Sequence, residues 1–322
     1  MPPPLLDRRL LFVTGKGGVG KTSVTAALAS LAARQGKRVL AIEVDERGDL
    51  ADFFEASSPG FTAREVQPGL HLMTLTTEES LREYLKLNLR IPLITRIGPL
   101  ARTFDFVATA APGVREILTV GKVAWEVREG HYDLVVVDAS ASGHVVAQLA
   151  APDTIGELVR VGLVRDQTGW MQDLLGDPAT TGVVVVTTPE EMPVSETVEL
   201  VERLRVDTRV DLAAVVANRV LPELSGRREE ALFDEWRSPE RVAALAAAVS
   251  QVTPTTDEAV RVTLDAAELA VRLRRARADH LTRLRAEISA DVPLLFVPEL
   301  FTRAHGARAT AQVADSLAAE LS

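Results

Sequence analysis

Gly15-Lys16-Gly17-Gly18-Val19-Gly20-Lys21-Thr22 is the stretch on which the reading of this chain turns. It satisfies G-x-x-x-x-G-K-[ST], and its surroundings suit the motif. An apolar run, residues 10–14, leads into it and predicts a buried strand. An Ala- and Leu-rich stretch, residues 21–35, leads out of it and predicts a helix ended by Gly36 at the C′ position. Glycines let the backbone bend until successive N–H groups converge on phosphate oxygens, and the positive end of the following helix adds to that field. A lysine and a hydroxyl close the motif because one reaches the β- and γ-phosphates and the other ligates Mg²⁺. The candidate phosphate-binding residues are therefore Gly15, Lys16, Gly17, Gly18, Val19, Gly20, Lys21, Thr22 and Ser23, with Thr22 also a metal ligand. The chain otherwise prefers arginine for positive charge. Lysine occurs only at positions 16, 21, 37, 86 and 122, so two of them in one glycine loop point to a need for compact point charges.

Working outward, short apolar runs recur at 39–44, 70–75, 134–137, 183–187, 212–217 and 294–297, separated by helical stretches. That alternation predicts an α/β fold, a doubly wound and mainly parallel sheet covered on both faces. Residues 78–130 and 154–177 break the rhythm with consecutive helical stretches, and we expect them to form a helical subdomain inserted in a single domain spanning 1–322. Residues 257–289 predict one long helix. Its apolar stripe is Val262, Ala266, Leu269, Leu273, Leu281, Leu284 and Ile288, and its arginines are expected to form a solvated face.

Composition narrows the function. With 322 residues, 47% of them hydrophobic, the chain can bury a large core, and no apolar run is long enough to span a bilayer. A cytoplasmic location is the expectation. The absence of cysteine excludes a disulfide framework, a thiolate metal site and an iron–sulfur cluster within this chain. A net charge of −9 argues against nucleic acid as the main partner.

Beyond the loop, the chain resembles the family of the arsenical-pump ATPase and the GET-pathway targeting ATPase, P-loop proteins of the deviant Walker A class, over nearly its whole length. In such proteins a lysine directly after the first glycine, here Lys16, crosses a dimer interface to the phosphates held by the other subunit. It adds positive charge where the transition state becomes negative, as an arginine finger does. Asp45-Glu46-Arg47-Gly48-Asp49-Leu50-Ala51-Asp52-Phe53-Phe54 is similar to the family's D-P-A-H-N-L-S-D-A-F and keeps Asp45, Leu50, Asp52 and Phe54, although the Pro, His and Asn are replaced. The resemblance assigns Asp45 to orienting the attacking water. Leu134-Val135-Val136-Val137-Asp138, continuing through Ala139-Ser140-Ala141-Ser142-Gly143-His144, resembles the family's Mg²⁺-site strand and its D-T-A-P-T-G-H switch. Asp138 would then hold Mg²⁺ through water, and the Gly143 N–H would approach the γ-phosphate. Val215-Val216-Ala217-Asn218-Arg219-Val220-Leu221-Pro222 resembles the strand end that reads the base, with Asn218 at the adenine edge and Pro298 packed on the ring. The guanine-reading N-K-x-D is missing, since Arg219 and Leu221 replace its Lys and Asp, which favours ATP.

The resemblance implies a Mg²⁺-dependent ATPase that dimerises around ATP and couples nucleotide state to a protein client or membrane partner. Its catalytic residues would be Asp45 and Lys16. Three alternatives stay open: a non-catalytic regulatory module that only reads ATP, a nucleotide-binding subunit paired with a paralogous ATPase in a heterodimer, and a positioning ATPase of the ParA or MinD type. Against the last, residues 309–322 lack the basic residues of a membrane-binding amphipathic helix. Apolar residues such as Leu93, Ile94, Ile97 and Leu100 form either core or a client groove.

Overall fold

The computed structural model describes residues 3–44, 49–89, 113–158, 163–223, 235–301 and 305–322. A single turn of 3-10 helix precedes β1 (Leu10–Gly15), which feeds through the glycine loop into α1 (Lys21–Arg34) and β2 (Val39–Glu43). The short α2 (Asp49–Asp52) leads to a hairpin of β3 (Arg64–Gln67) and β4 (Leu70–Thr74), then to α3 (Thr77–Leu89) and α4 (Val114–Glu129). β5 (Leu134–Asp138), α5 (Ser142–Leu158), α6 (Leu163–Gly176) and β6 (Thr181–Thr187) follow. The remainder is α7 (Glu191–Asp207), β7 (Leu212–Val220), α8 (Pro239–Val249), α9 (Asp257–Glu287), β8 (Leu294–Pro298) and α10 (Gly306–Leu321).

The sheet has eight strands in the order β3-β4-β2-β5-β1-β6-β7-β8. Every neighbouring pair is parallel except β3 and β4. This is the mainly parallel α/β sheet that the apolar runs predict, and all seven of those runs are strands. β3 had no such signal. Its Arg64-Glu65-Val66-Gln67 sequence is largely polar and sits at the sheet edge, where only one side of the backbone needs a partner and Val66 alone packs against the core.

Side chains of the central strands alternate between two cores, because successive residues point to opposite faces. Leu11 and Val13 of β1, with Val184 and Val186 of β6, meet α1 and α10 on one face. Leu10 and Phe12, with Val183 and Val185, face the opposite core, which receives Val120, Val123 and Val127 of α4, Val145 and Leu149 of α5 and Leu284 of α9. Within 78–130 and 154–177 the described residues are helical except Gly113, Gly130 and Asp177, and Lys122 ties α4 to α3. Its ammonium lies 2.7 Å from Glu83 on α3 and 2.7 Å from Glu126. Burial alone would lower the Lys122 pKa, but these two carboxylates outweigh it and hold the pKa above its ordinary value. Leu93, Ile94, Ile97 and Leu100 lie outside the described residues.

α9 is the single long helix that the pattern predicts, but its apolar stripe divides. Leu284 and Ile288 are buried and Leu281 packs against the same core, whereas Val262, Leu269 and Leu273 face outward. The amphipathic period places residues on one face and does not specify what covers that face. Its arginines divide as well: Arg285 donates to the carbonyls of Ile288 and Val292, and Arg277 lies 3.6 Å from Glu190.

Candidate functional site

The glycine loop stands at the carboxyl end of β1, the central position at which a doubly wound sheet opens a crevice. Two glycines fix its shape. At Gly15, with φ +148°, a Cβ would sit 2.1 Å from the Val186 carbonyl oxygen, so β1 and β6 could not pair as they do around any side chain. At Gly20, with φ +92°, a Cβ would meet the Asn218 amide nitrogen at 2.3 Å. Gly20 is also the N-cap of α1, so its left-handed backbone aims the first turn of the helix into the crevice. Val19 is buried beneath the loop, and its carbonyl accepts from Asn218 Nδ2 at 2.8 Å. The loop is thereby braced by the end of β7.

A cavity of about 630 Å³ opens in front of α1. Gly17, Gly18, Gly20, Lys21, Thr22 and Ser23 form one wall, and Asp138 forms another. Lys21 Nζ lies 3.3 Å from the Lys16 carbonyl oxygen. Thr22 Oγ1 donates to Asp138 Oδ2 at 2.7 Å, and Thr25 Oγ1 lies 3.3 Å from Asp138 Oδ1. A hydroxyl and a carboxylate thus stand side by side as hard oxygen donors. Mg²⁺ is usually held by one or two such groups together with phosphate oxygens and water, so this pair fits it. Among the described residues no cluster of three or more His, Cys, Asp or Glu could hold a metal by itself.

The cavity also contains groups that the motif does not specify: Glu43, Asp49, Asp52, Phe53 and Arg219. Glu43 is buried at the end of β2, directly beside Asp138 in the register of β2 and β5, and its Oε1 accepts from the Leu50 N–H in α2 at 3.3 Å. Burial raises the Glu43 pKa above 4.5, the nearby Asp138 and Asp49 charges push the same way, and the Leu50 hydrogen bond opposes them in part. Arg219 holds φ at +56°, a left-handed conformation that costs a residue with a Cβ about 1 kcal/mol, while its N–H donates to Asn218 Oδ1 at 3.0 Å. Glu55, which does not line the cavity, shares this left-handed backbone with φ +54°.

The remaining sequence-predicted residues separate by position. Asn218, Pro298 and Ser23 line an adjoining cavity of about 120 Å³ beside the loop, and Arg219 and Phe53 line both spaces. The larger cavity and the smaller side pocket thus share Ser23, Phe53 and Arg219 in their walls. Gly143 opens α5 in an exposed position, and Ala139 and Ala141 rather than Gly143 border the main cavity. Asp45 lies outside the described residues. Lys16 turns away from its own phosphate cavity. Its ammonium pairs with Glu196 Oε1 of α7 at 2.5 Å. These two residues are 180 positions apart, so no local pattern could have linked them.

Sheet, loop and cavity together define a nucleotide-binding protein of the P-loop α/β class. Comparison with known proteins then narrows the class. The chain belongs to the anion-transporting ATPase (ArsA) family, whose model matches residues 8–169 and 163–244. It is 30% identical to the ATPase BagA of Mycobacterium tuberculosis (strain ATCC 25618 / H37Rv) over 232 residues, 69% of this chain and 68% of that protein. It is 26% identical to the putative arsenical pump-driving ATPase 2 of Aquifex aeolicus (strain VF5), covering 67% of this chain and 81% of that one. An ATPase ASNA1 homolog of Entamoeba dispar is 25% identical, with 66% of this chain and 76% of that one covered. The family membership agrees with the arsenical-pump and GET-type resemblance of the sequence and with an ATPase function in general. No described helix is long and apolar enough to cross a membrane.

Proposed function

We propose that this chain is a Mg²⁺-dependent ATPase that dimerises around its nucleotide and uses the ATP and ADP states as a switch on a protein client or membrane partner. The observation that carries the reading is the division of labour between the two loop lysines. Lys21 lines the phosphate cavity, and Lys16 points out of it to an ion pair that is about one-third exposed at each end (28% and 35%). A loop lysine that does not line its own cavity supports a role toward a neighbouring subunit.

In this mechanism the loop N–H groups and the N-terminus of α1 bind the β- and γ-phosphates, with Lys21 neutralising their charge. Thr22 and Asp138 would hold Mg²⁺, which when bound neutralises charge on the phosphate oxygens. Asp45 orients the attacking water, and Lys16 of the opposing subunit stabilises charge developing on the transferred phosphoryl group. Asn218 and Pro298 border the pocket proposed for adenine, with Gly143 contributing a backbone donor after a switch rearrangement. We assign the helical segments 78–130 and 154–177 to a subdomain that follows the nucleotide state, and the protein to the cytoplasm. Arsenical-pump names among the relatives do not carry over to a thiolate arsenite site here, because this chain has no cysteine.

The test is ATP turnover with mixing. Lys16→Ala should bind ATP and lose hydrolysis and ATP-dependent dimerisation. Charge-stabilising groups of this kind contribute about 10³–10⁵ in rate. Mixing Lys16→Ala with Asp45→Asn should restore part of the activity, because half the mixed sites then combine an intact Asp45 with an intact Lys16. No rescue in proven mixed dimers refutes action between subunits. Turnover that appears only when a paralogous ATPase is added assigns the chain to a heterodimer instead.

A further inference from the structure

The exposed half of α9 has no place in the nucleotide site. Arg277 pairs with Glu190, the residue that opens α7 at the carboxyl edge of the sheet, and Arg274 lies 3.3 Å from Glu223 just beyond β7. The part of α9 before Arg277, residues 257–276, therefore runs past that edge for about 30 Å, on the same side as the phosphate loop. α8 accompanies it. Val242 and Ala246 of α8 pack with Val260 and Leu264 of α9 in a small satellite core. The opposite face of this arm is apolar and open, with Val262 58%, Leu269 57% and Leu273 47% exposed. Ala266 and Ala276 are exposed on the same line. Positions 262, 266, 269, 273 and 276 alternate in steps of four and three, the spacing of a coiled-coil seam rather than of a solvated helix face.

The residues flanking the seam decide what it fits. An antiparallel pairing of two copies that sets Val262 against Leu273 and Ala266 against Leu269 gives four layers, each a large residue against a smaller one. In that register Asp265 of one copy faces Arg272 of the other, twice by symmetry. Moving the register by one heptad sets Asp265 against Asp279 and Arg272 against Arg272. A parallel, in-register pairing sets Arg272 against Arg277. The opposite one-heptad shift sets Asp265 against Asp265, so only the first arrangement has complementary charges and no like-charge pair. Within the chain Asp265 already lies 2.8 Å from Arg237, and Arg272 contacts Glu268, but both flanking side chains are more than 70% exposed (72% and 73%) and retain free capacity for a further bond.

We propose that the α9 arm is a self-association surface, an antiparallel two-helix seam between two copies of this chain with its two-fold axis between Ala266 and Leu269. This contact is separate from the proposed nucleotide-dependent interface and forms without ATP. The chain lacks cysteine, so introduced thiols report without background. Under mild oxidation of nucleotide-free protein, Ala266→Cys mixed with Leu269→Cys should give a disulfide-linked dimer. Leu273→Cys alone should not, because its two copies lie about 16 Å apart along the seam. Asp265→Arg should weaken association about tenfold by ultracentrifugation, and Asp265→Arg with Arg272→Asp should restore it. Lys16→Ala should leave all of these results unchanged, which separates failure of this seam from failure of the nucleotide dimer. Absence of the mixed disulfide, linkage of Leu273→Cys to itself, or association indifferent to both charge variants overturns the proposal. So does association that requires a different protein.

Discussion

Replacing Gly20 by alanine tests whether the phosphate loop is held by the end of β7. Two effects contribute. The first is conformational: φ is +92° at Gly20, and a residue with a Cβ held there loses about 1–2 kcal/mol. The second is specific, since the new Cβ would lie 2.3 Å from Asn218 Nδ2, well inside van der Waals contact. Asn218 must withdraw, which breaks its bond to the Val19 carbonyl and leaves a buried acceptor unpaired, a further cost of about 1–3 kcal/mol. Gly20→Ala should therefore lower stability by about 2–5 kcal/mol, the sum of the two terms. Gly18→Ala is the control, because Gly18 has φ +86° and nothing within 4 Å, leaving only the conformational cost. Urea unfolding of the nucleotide-free protein should rank the two variants in that order. In an Asn218→Ala background the clash disappears, and the cost of Gly20→Ala should fall to that of Gly18→Ala. Equal effects of the two glycine substitutions in the native background, or a Gly20→Ala cost untouched by Asn218→Ala, would refute the bracing of the loop by β7.

Lys21→Ala should abolish ATP binding by calorimetry, since its charge lines the phosphate cavity; wild-type affinity would dismantle the site assignment. Thr22→Ala should weaken ATP binding in Mg²⁺ about tenfold and leave binding in EDTA nearly unchanged, because its hydroxyl stands 2.7 Å from Asp138; equal losses in both media contradict a metal role. Glu196→Gln should tighten ATP-dependent dimerisation by up to about fivefold, the value of a partly exposed ion pair that Lys16 must otherwise leave, and weaker dimers would show that Glu196 positions Lys16 rather than restrains it. Glu43 titrates above its ordinary 4.5 in the fold, so the folded state holds its proton more tightly than the unfolded state. Its contribution to stability is full below pH 4.5 and is lost as pH rises through the raised folded value. Glu43→Gln should remove that part of the decline in nucleotide-free protein, measured by urea midpoints at stepped pH, and an unchanged slope would assign the decline to other groups.

What was legible in the sequence follows from locality. The central strands could be read because parallel strands buried on both faces need near-continuous apolar runs, and the loop could be read because its motif sits between a strand and a helix. β3 could not be read, since Arg64-Glu65-Val66-Gln67 carries no period and offers only Val66 to the core. Lys16 with Glu196 and Val19 with Asn218 join residues 180 and 199 positions apart, which only the tertiary fold brings together. Arg219 had a weak signal, in that it follows the base-strand Asn218, but its left-handed backbone is a property of the strand end rather than of its own sequence. For α9, the period predicted the apolar stripe and its charged flanks and gave no information on which half would find a core.

The position of Asp138 depends on strand register more than on the motif. Val13 of β1, Asp138 of β5 and Glu43 of β2 lie side by side across three adjacent parallel strands. Asp138 reaches the first turn of α1 only because this register holds, and a slip of one residue would present Val137 there and turn the carboxylate to the other face. The apolar runs of β1, β2 and β5 suit either face, so this register is held by how the individual side chains pack into the two cores. The same register sets two carboxylates next to each other at the mouth of the crevice. Their mutual repulsion adds to burial in raising the pKa of Glu43 and disfavours the doubly ionised state when nothing positive lies between them. A divalent cation held by Thr22 and Asp138 would relieve that repulsion. Glu43 is also tied to α2, through the backbone N–H groups of Leu50 and Asp49.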